Sequence, residues 1–247
     1  MAGRAASLRG LRRKVPERRV VAATVLRRAR PSPSFARVTL GGEALARFEP
    51  LGFDQWSRMF IPQGRPGEPG CGPLSAWAQT ARPGDSVGVL DQGLLFLPEQ
   101  ATGRVILAGD ETAVPAVAGA LRDMPATAVG EALLEVPHAA DAQELAAPKG
   151  VTVTWLPREG TGLRPGELLL REATARLEAT ASSGVGEARP VSAAGAGASR
   201  AGAGDELPYV YAAGEAAMAV TLSQTLKRRL GWPTKRFTAV TYWRLGA

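Results

Sequence analysis

The chain has 247 residues, 45% of them apolar, with one cysteine and one histidine, which excludes an intramolecular disulfide and a His/Cys metal cluster. Its formal net charge of +7 is concentrated at the start, because residues 1–30 carry ten Arg or Lys and a single Glu. A basic arm on a nearly neutral body argues against a nucleic-acid-binding protein, whose basic patch usually lies on the folded face.

Residues 1–18 are predicted to form a flexible basic arm, because disorder concentrates at chain termini. No run approaches the ~18 apolar residues that a membrane helix needs, and no apolar signal-peptide core follows the Arg-rich start. We therefore expect a soluble, cytoplasmic protein without membrane insertion. We also expect a monomer.

Residues 19–100 have the pattern of an all-β unit. Apolar runs bounded by turn residues predict its strands, which are residues 19–29, 34–42, 56–62 and 86–90. Gln63–Gly72 is predicted to be a loop, since Pro lacks a backbone donor and Gly loses much entropy on ordering. A short helix through Ala81 follows, with Ser75 placed to cap it.

The pattern changes near residues 98–103, where we place a domain boundary. Residues 104–110 are a short apolar run, and a segment with helical spacing begins at Thr112, which is how a parallel α/β unit begins. Further strands are predicted at residues 130–137, 151–157 and 207–214, and further helices at residues 165–180 and 215–230. The alternation indicates a doubly wound sheet in residues 101–247. Residues 181–206 are predicted to be a flexible insert, since they hold few bulky apolar side chains.

Candidate binding residues lie at the ends of two predicted strands. Asp110, Glu111 and Thr112 separate a strand from a helix, and ligands of open α/β sheets bind outside the carboxyl ends of strands, where helix N-termini offer amides to phosphate. Plain helix capping is the alternative. Gly214 and Glu215 repeat this placement, with a tight connection and a favourable helix-dipole charge as the simpler interpretation. Two such strand ends favour a dinucleotide site, although the sequence has neither a G-x-G-x-x-G fingerprint nor a P-loop.

The last predicted strand carries Tyr242, Trp243 and Arg244. Aromatic rings can stack on flavin or nicotinamide, and an arginine can bind an anionic substrate through two hydrogen bonds. One buried ring and a solvated Arg244 are the simpler interpretation.

Eight segments, in this order, resemble the siderophore-interacting proteins, which are FAD-dependent ferric-siderophore reductases of the ferredoxin-reductase-like superfamily. The segments are FDQW (53–56), GPLSAWA (72–78), PGDSVGVL (83–90), AGDETAVPA (108–116), EVPHAAD (135–141), WLPREG (155–160), YAAGEA (211–216) and YWRLG (242–246). The resemblance covers about residues 20–247.

The resemblance implies a six-stranded antiparallel barrel that holds FAD, followed by an α/β domain that receives NADPH or NADH. A ferric siderophore would be the partner, and no catalytic side chain or metal ligand is implied, because electrons reach Fe(III) through the cofactors. The implied cofactor contacts are Gly72, Pro73, Ser75 and Trp77 on the FAD phosphate side, Asp110, Glu111 and Thr112 at the flavin–nicotinamide junction, and Gly214 and Glu215 facing NAD(P)H. Arg58 and Arg244 match basic positions of the siderophore pocket.

One departure from the family pattern concerns the flavin site. Family members carry an Arg-x-Tyr-Thr-x-Arg segment and a further strand before the GPxSxWA motif, whereas this chain has only the bridge Gln63–Cys71 and no tyrosine before Tyr209. The sequence thus predicts a truncated β-barrel domain (19–100) followed by a doubly wound NAD(P)H-binding domain (101–247). A non-enzymatic member that binds FAD weakly or not at all is the alternative to a reductase.

Overall fold

The computed structural model describes residues 19–62, 72–96, 104–184 and 207–246. These residues form one antiparallel and one parallel β-sheet, which confirms the predicted combination of a β unit and an α/β unit. The predicted arm, the predicted domain boundary and residues 185–206 of the predicted insert lie outside the described residues.

The antiparallel sheet has four strands in the order β2-β1-β4-β3. They are β1 (Val21–Ser32), β2 (Phe35–Gly41), β3 (Trp56–Phe60) and β4 (Ser86–Gly93). The inner face buries Val25, Val87 and Val89 against Trp77 of helix α1 (Pro73–Thr80). The resemblance implies a six-stranded barrel, and the described residues form four of its strands as an open half-barrel. Leu40 and Met59, on its edge strands, are only partly buried.

The parallel sheet has five strands in the order β7-β6-β5-β8-β9. They are β5 (Arg104–Gly109), β6 (Val129–Val136), β7 (Gly150–Pro157), β8 (Tyr209–Glu215) and β9 (Phe237–Trp243). Helix α2 (Val114–Asp123) packs on one face, and α3 (Glu167–Gly184) and α4 (Ala216–Gln224) pack on the other. Two apolar cores on opposite faces make this a doubly wound sheet. A π turn (Thr225–Arg229) extends α4, and 3-10 turns occupy Glu43–Arg47, Ala139–Asp141 and Thr234–Arg236.

Hydrogen bonds to one buried aspartate join the two sheets. Asp141, which lies after β6, accepts the Ser32 hydroxyl (2.8 Å), the Ser34 amide (2.8 Å) and the Ser34 hydroxyl (2.7 Å) from the β1–β2 turn. The Asp123 carboxylate at the end of α2 accepts the Phe53 amide at 2.6 Å. The two sheets are therefore held in one fixed arrangement.

Two predicted helix boundaries differ from the structure. Helix α1 begins at Pro73, so Ser75 lies within its first turn and is not its cap; proline is favoured at that first position because its missing N–H would be unpaired there. Helix α3 runs to Gly184 and therefore includes residues 181–184 of the predicted flexible insert. The Ser182 hydroxyl donates to the Glu178 carbonyl at 2.9 Å, which suits a helical last turn.

Each helix among the described residues is too short or too polar to cross a bilayer.

Candidate functional site

The carboxyl ends of β5, β8 and β9 meet at one edge of the parallel sheet, and Asp110 binds all three. Its Oδ1 accepts hydrogen bonds from the Thr112 amide (2.9 Å) and hydroxyl (2.5 Å). Its Oδ2 accepts from the Glu215 amide and the Trp243 indole N–H, both at 2.7 Å. Asp110 therefore joins the ends of three strands and fixes the Trp243 ring.

These four bonds occupy the roughly four acceptor positions that a carboxylate has. Asp110 is fully buried, and this burial raises its pKa against the opposing effect of the Thr112 and Trp243 hydrogen bonds. The N-cap of α2 is Ala113, so capping is not the role of Asp110. Gly214 has φ 144°, and a Cβ there would collide with the Asp110 carboxylate. The hydrogen bonds of Asp110 therefore stabilise the junction of the three strand ends, and we name this arrangement the clasp.

Glu111 belongs to a second, partly buried cluster at the same edge. Arg158, just after β7, donates from Nη1 and Nη2 to the Glu111 carboxylate at 3.0 Å each and from Nη1 to Glu135 at 2.6 Å. Burial alone would lower the pKa of Arg158, but the two glutamates raise it. Glu135 is fully buried and also accepts the Gly166 and Leu169 amides at 2.7 Å each. Its carboxylate therefore occupies the N-terminus of α3.

Glu215 occupies the N-terminus of α4 in the same way. Its Oε2 accepts the Ala217 amide at 2.5 Å and the Met218 amide at 3.1 Å, which makes it the N-cap of that helix. A phosphate that approaches α3 or α4 would therefore meet a carboxylate of the chain itself. Anion recognition at this edge must depend on basic side chains.

An open cavity of about 730 Å³ lies between the beginnings of α3 and α4. Gly166 and Glu215, the positions fixed by the two clusters, form part of its wall. Arg164 and Arg244 also line it and are exposed. Neither guanidinium group has a carboxylate partner among the residues that the structure describes. The cavity thus presents two exposed positive charges, together with the carboxylates of Glu167 and Glu215 and apolar wall atoms.

Tyr242, unlike its neighbour Trp243, belongs to a buried hydrogen-bond network with Tyr211 and Asp54. Its hydroxyl lies 2.9 Å from that of Tyr211, which donates to Asp54 Oδ2 at 3.2 Å. Buried Asp54 also accepts the Leu95 and Phe96 amides at 3.1 and 2.8 Å. Burial raises the pKa of both Asp54 and Tyr211. These bonds connect the two sheets, so Tyr242 takes part in the junction between them.

The other predicted site residues lie in the first part of the chain. Gly72, Pro73 and Ser75 are exposed at the start of α1, whose first turn has no acidic residue, and this placement suits an anion. Trp77 is instead buried in the half-barrel core. Arg58 is exposed on the outer face of β3, opposite Leu90. The structure places Arg58 and Arg244 on different sheets and gives no contact between them.

The described residues fit FAD only in part. The start of α1 suits its phosphates, but the buried rings at the junction of the two sheets pack on one another, with centroids 5.4 Å apart for Phe96 and Tyr209 and 5.3 Å for Phe96 and Tyr211. They leave no open aromatic face for an isoalloxazine ring. The Arg-x-Tyr-Thr-x-Arg segment that would supply one is absent from the sequence.

Sequence reasoning missed four residues that shape this site, namely Glu135, Arg158, Arg164 and Asp54. The signal for Glu135 is a lone acid at the end of the apolar run that forms β6, since such a charge requires partners when buried. Arg158 and Arg164 follow β7, in a position equivalent to that of Asp110 after β5 and Glu215 at the end of β8. Nothing in the local pattern marks Asp54.

Comparisons with known proteins give a consistent result. Residues 102–246 match the siderophore-interacting protein family, and residues 24–71 match the siderophore-interacting FAD-binding domain. An uncharacterized protein of Mycobacterium tuberculosis is 40% identical over 89 residues, which are 36% of this chain and 31% of that protein. The match thus spans less than a third of that relative's length.

Two further relatives cover more of the chain. The NADPH-dependent ferric-chelate reductase of Escherichia coli is 30% identical over 177 residues, covering 54% of this chain and 69% of that protein. The 177 aligned positions outnumber the residues that make up 54% of this chain. The alignment therefore contains gaps, at positions where the relative has residues and this chain has none. The crystal structure of a siderophore utilization protein from T. fusca has a TM-score of 0.69 and 28% identity, and covers 93% of this chain and 94% of that one. This chain belongs to the siderophore-interacting protein family.

Proposed function

We propose that this protein is an NADPH-dependent reductase of ferric siderophores. The observation that carries the proposal is the cavity between α3 and α4, where Arg164 and Arg244 are exposed and have no carboxylate partner in the part of the chain that the structure describes. The neighbouring helix N-termini are occupied by Glu135 and Glu215. A dinucleotide bound there would depend on guanidinium groups for its phosphates.

Two free arginines favour NADPH over NADH. The additional 2′-phosphate of NADPH is a compact anion, and guanidinium groups bind phosphate through paired charge-assisted hydrogen bonds. NADH offers the two arginines only its diphosphate, whereas NADPH offers them this further anion. The E. coli relative is named an NADPH-dependent ferric-chelate reductase, which agrees with this preference.

Iron release follows from the chemistry of the chelate. Hard oxygen ligands hold Fe(III) much better than Fe(II), so one electron per iron releases the metal without a general base. FAD, when bound, would link the two-electron donor NADPH to this one-electron acceptor. In this chain, Gly72, Pro73 and Ser75 would hold its phosphates, and Arg58 would attract an anionic chelate.

The test is Fe(II) formation under anaerobic conditions. The full chain is mixed with FAD, a ferric catecholate and either NADPH or NADH, and Fe(II) is trapped with ferrozine. We expect Arg164→Gln and Arg244→Gln each to raise the KM for NADPH about tenfold without lowering kcat, since one charge-assisted contact is lost. Arg171→Gln is the control, because Arg171 lies on α3 outside the cavity wall. Unchanged KM values in both cavity variants would contradict the proposed role of the cavity.

The half-barrel favours a second candidate, a non-enzymatic member that keeps the fold but binds FAD weakly or not at all. The four strands that the described residues form and the packing of the buried rings on one another at the junction of the two sheets are the specific observations behind it. This candidate predicts no Fe(II) formation at any FAD concentration, while the purified protein remains folded and still binds NADPH.

A further inference from the structure

A β-bulge brings an apolar and a basic side chain together on the outer face of the half-barrel. Val25 pairs with Leu40 and Arg27 pairs with Thr39, so Leu26 is an extra residue between them. Leu40 and Thr39 are consecutive and therefore point to opposite faces. Since Val25 is buried on the inner face, Arg27 lies on the outer face.

Further apolar side chains share this outer face. Leu26 covers Gly41 and is 57% exposed. Val20 and Phe60 flank Gly88 and are 53% and 47% exposed. Gly88 lies between Val87 and Val89 of β4, which face inward, so Gly88 faces outward. The Val20 and Phe60 side chains that flank it therefore lie next to each other on the outer face. We name Val20, Leu26, Arg27, Arg37 and Phe60 the outer patch.

Within the described residues, no carboxylate neutralises the positive charge of the outer patch. Arg37 pairs with Ala29, which places it beside Arg27 on the same face, and both arginines are exposed. Arg27 donates only to the Thr39 hydroxyl, at 3.1 Å, and Arg37 has no partner among the described residues. Residues 19–42 contain five arginines and no Asp or Glu. In the parallel-sheet unit, Arg171 and Arg229 pair with glutamates, whereas Arg164 and Arg244 have no described carboxylate partner.

We propose that the outer patch binds an anionic lipid surface. Arginines bind headgroup phosphates while neighbouring apolar side chains enter the boundary with the acyl chains, so a bilayer satisfies both halves of the patch. A nucleic acid would use the arginines but leave Val20 and Leu26 without apolar contacts. A second copy of the chain would bring arginines against arginines. The inference does not depend on the proposed reductase activity.

The test is flotation of the full chain with vesicles made of equal parts phosphatidylglycerol and phosphatidylcholine, or of phosphatidylcholine alone. We expect binding only to the anionic vesicles. The double variant R27Q/R37Q should bind about 25-fold more weakly, at roughly fivefold per charge. Leu26→Ser should weaken binding about tenfold and should remove the part that resists salt.

The matched control is R171Q/R229Q, which removes the same charge from exposed positions of the parallel-sheet unit. All variants keep residues 1–18, so the difference between the two double variants reports the outer patch alone. No binding to anionic vesicles, or equal losses in both double variants, would overturn the proposal. Tighter binding of a single-stranded oligonucleotide at the same salt concentration, lost in R27Q/R37Q, would assign the patch to nucleic acid and overturn it as well. So would self-association that R27Q/R37Q abolishes.

Discussion

Three buried carboxylates determine the shape of the sheet edge where the candidate site lies. Asp110 accepts four hydrogen bonds, and Glu135 and Glu215 each accept three. A carboxylate held in this way positions backbone and has little capacity left for a ligand. The residues free to bind a ligand are instead the exposed Arg164 and Arg244.

Replacing Asp110 by Asn tests the clasp. The NH2 group of Asn would face either both the Glu215 amide and the Trp243 indole N–H, which share Oδ2, or the Thr112 amide at the Oδ1 position. Either orientation opposes donors with a donor and leaves them unpaired. We expect the free energy of unfolding to fall by about 2–4 kcal/mol, since each unpaired buried donor costs about 1–3 kcal/mol, and the Trp fluorescence to change as the ring is released. Denaturant titration measures the first effect. Glu159→Gln, at an exposed position, is the control, and equal stability of the two variants would contradict the clasp.

The sequence predicts part of this site and hides the rest for a physical reason. Asp110, Gly214 and Trp243 stand at predicted strand ends, and the structure does bring them together. That Trp243 donates to Asp110, 133 residues away, depends on β8 and β9 lying beside β5, and strand order is decided by contacts that are distant in sequence. The same limit conceals the joining of Arg158 to Glu111 and Glu135.

At the level of secondary structure, Asp141 makes the stability of one junction depend on pH. This junction joins the β1–β2 turn to the loop after β6. Burial opposes ionisation, but hydrogen bonds from Ser34, Ser32 and His138 outweigh it and lower the pKa of Asp141 below its ordinary 3.8. An acid with a lowered pKa contributes stability above its unfolded value and loses that stability as the pH falls through its folded value.

Asp141→Asn should therefore destabilise the protein most near neutral pH. We expect the difference in free energy of unfolding between wild type and variant to be constant from neutral pH down to about pH 5 and to shrink below pH 4. Urea titrations at a series of pH values measure it. A difference that grows towards acid pH would contradict the assignment.

Gly119 tests how closely α2 approaches the half-barrel. A Cβ at this position would collide with the Phe53 carbonyl oxygen. Helix propensity alone predicts that Gly119→Ala stabilises the protein by about 1 kcal/mol. We expect destabilisation instead, because the collision must separate α2 from Phe53 and disturb the bond between Phe53 and Asp123. A rise in Tm would show that the contact is looser than the structure indicates.

At the scale of the whole molecule, the change from strand-turn-strand to strand-turn-helix patterning predicted two units of the right classes. The patterning could not predict how the units dock. Their contacts join residues such as Ser32 and Asp141, or Asp54 and Tyr211, which are 109 and 157 positions apart. Local periodicity carries no information at that range. The four strands described in the half-barrel, by comparison, lie in the four apolar runs from which the sequence predicted them.

The binding of FAD tests the central claim most directly, namely that the chain keeps the family fold while its flavin site is weakened. Flavin fluorescence is followed as the apo-protein is titrated with FAD, beside a family member that retains the Arg-x-Tyr-Thr-x-Arg segment. Two or three lost ring and phosphate contacts at about 1–3 kcal/mol each predict affinity that is weaker by roughly a thousandfold or more, in a protein that still unfolds cooperatively. Stoichiometric binding at submicromolar FAD would contradict the account.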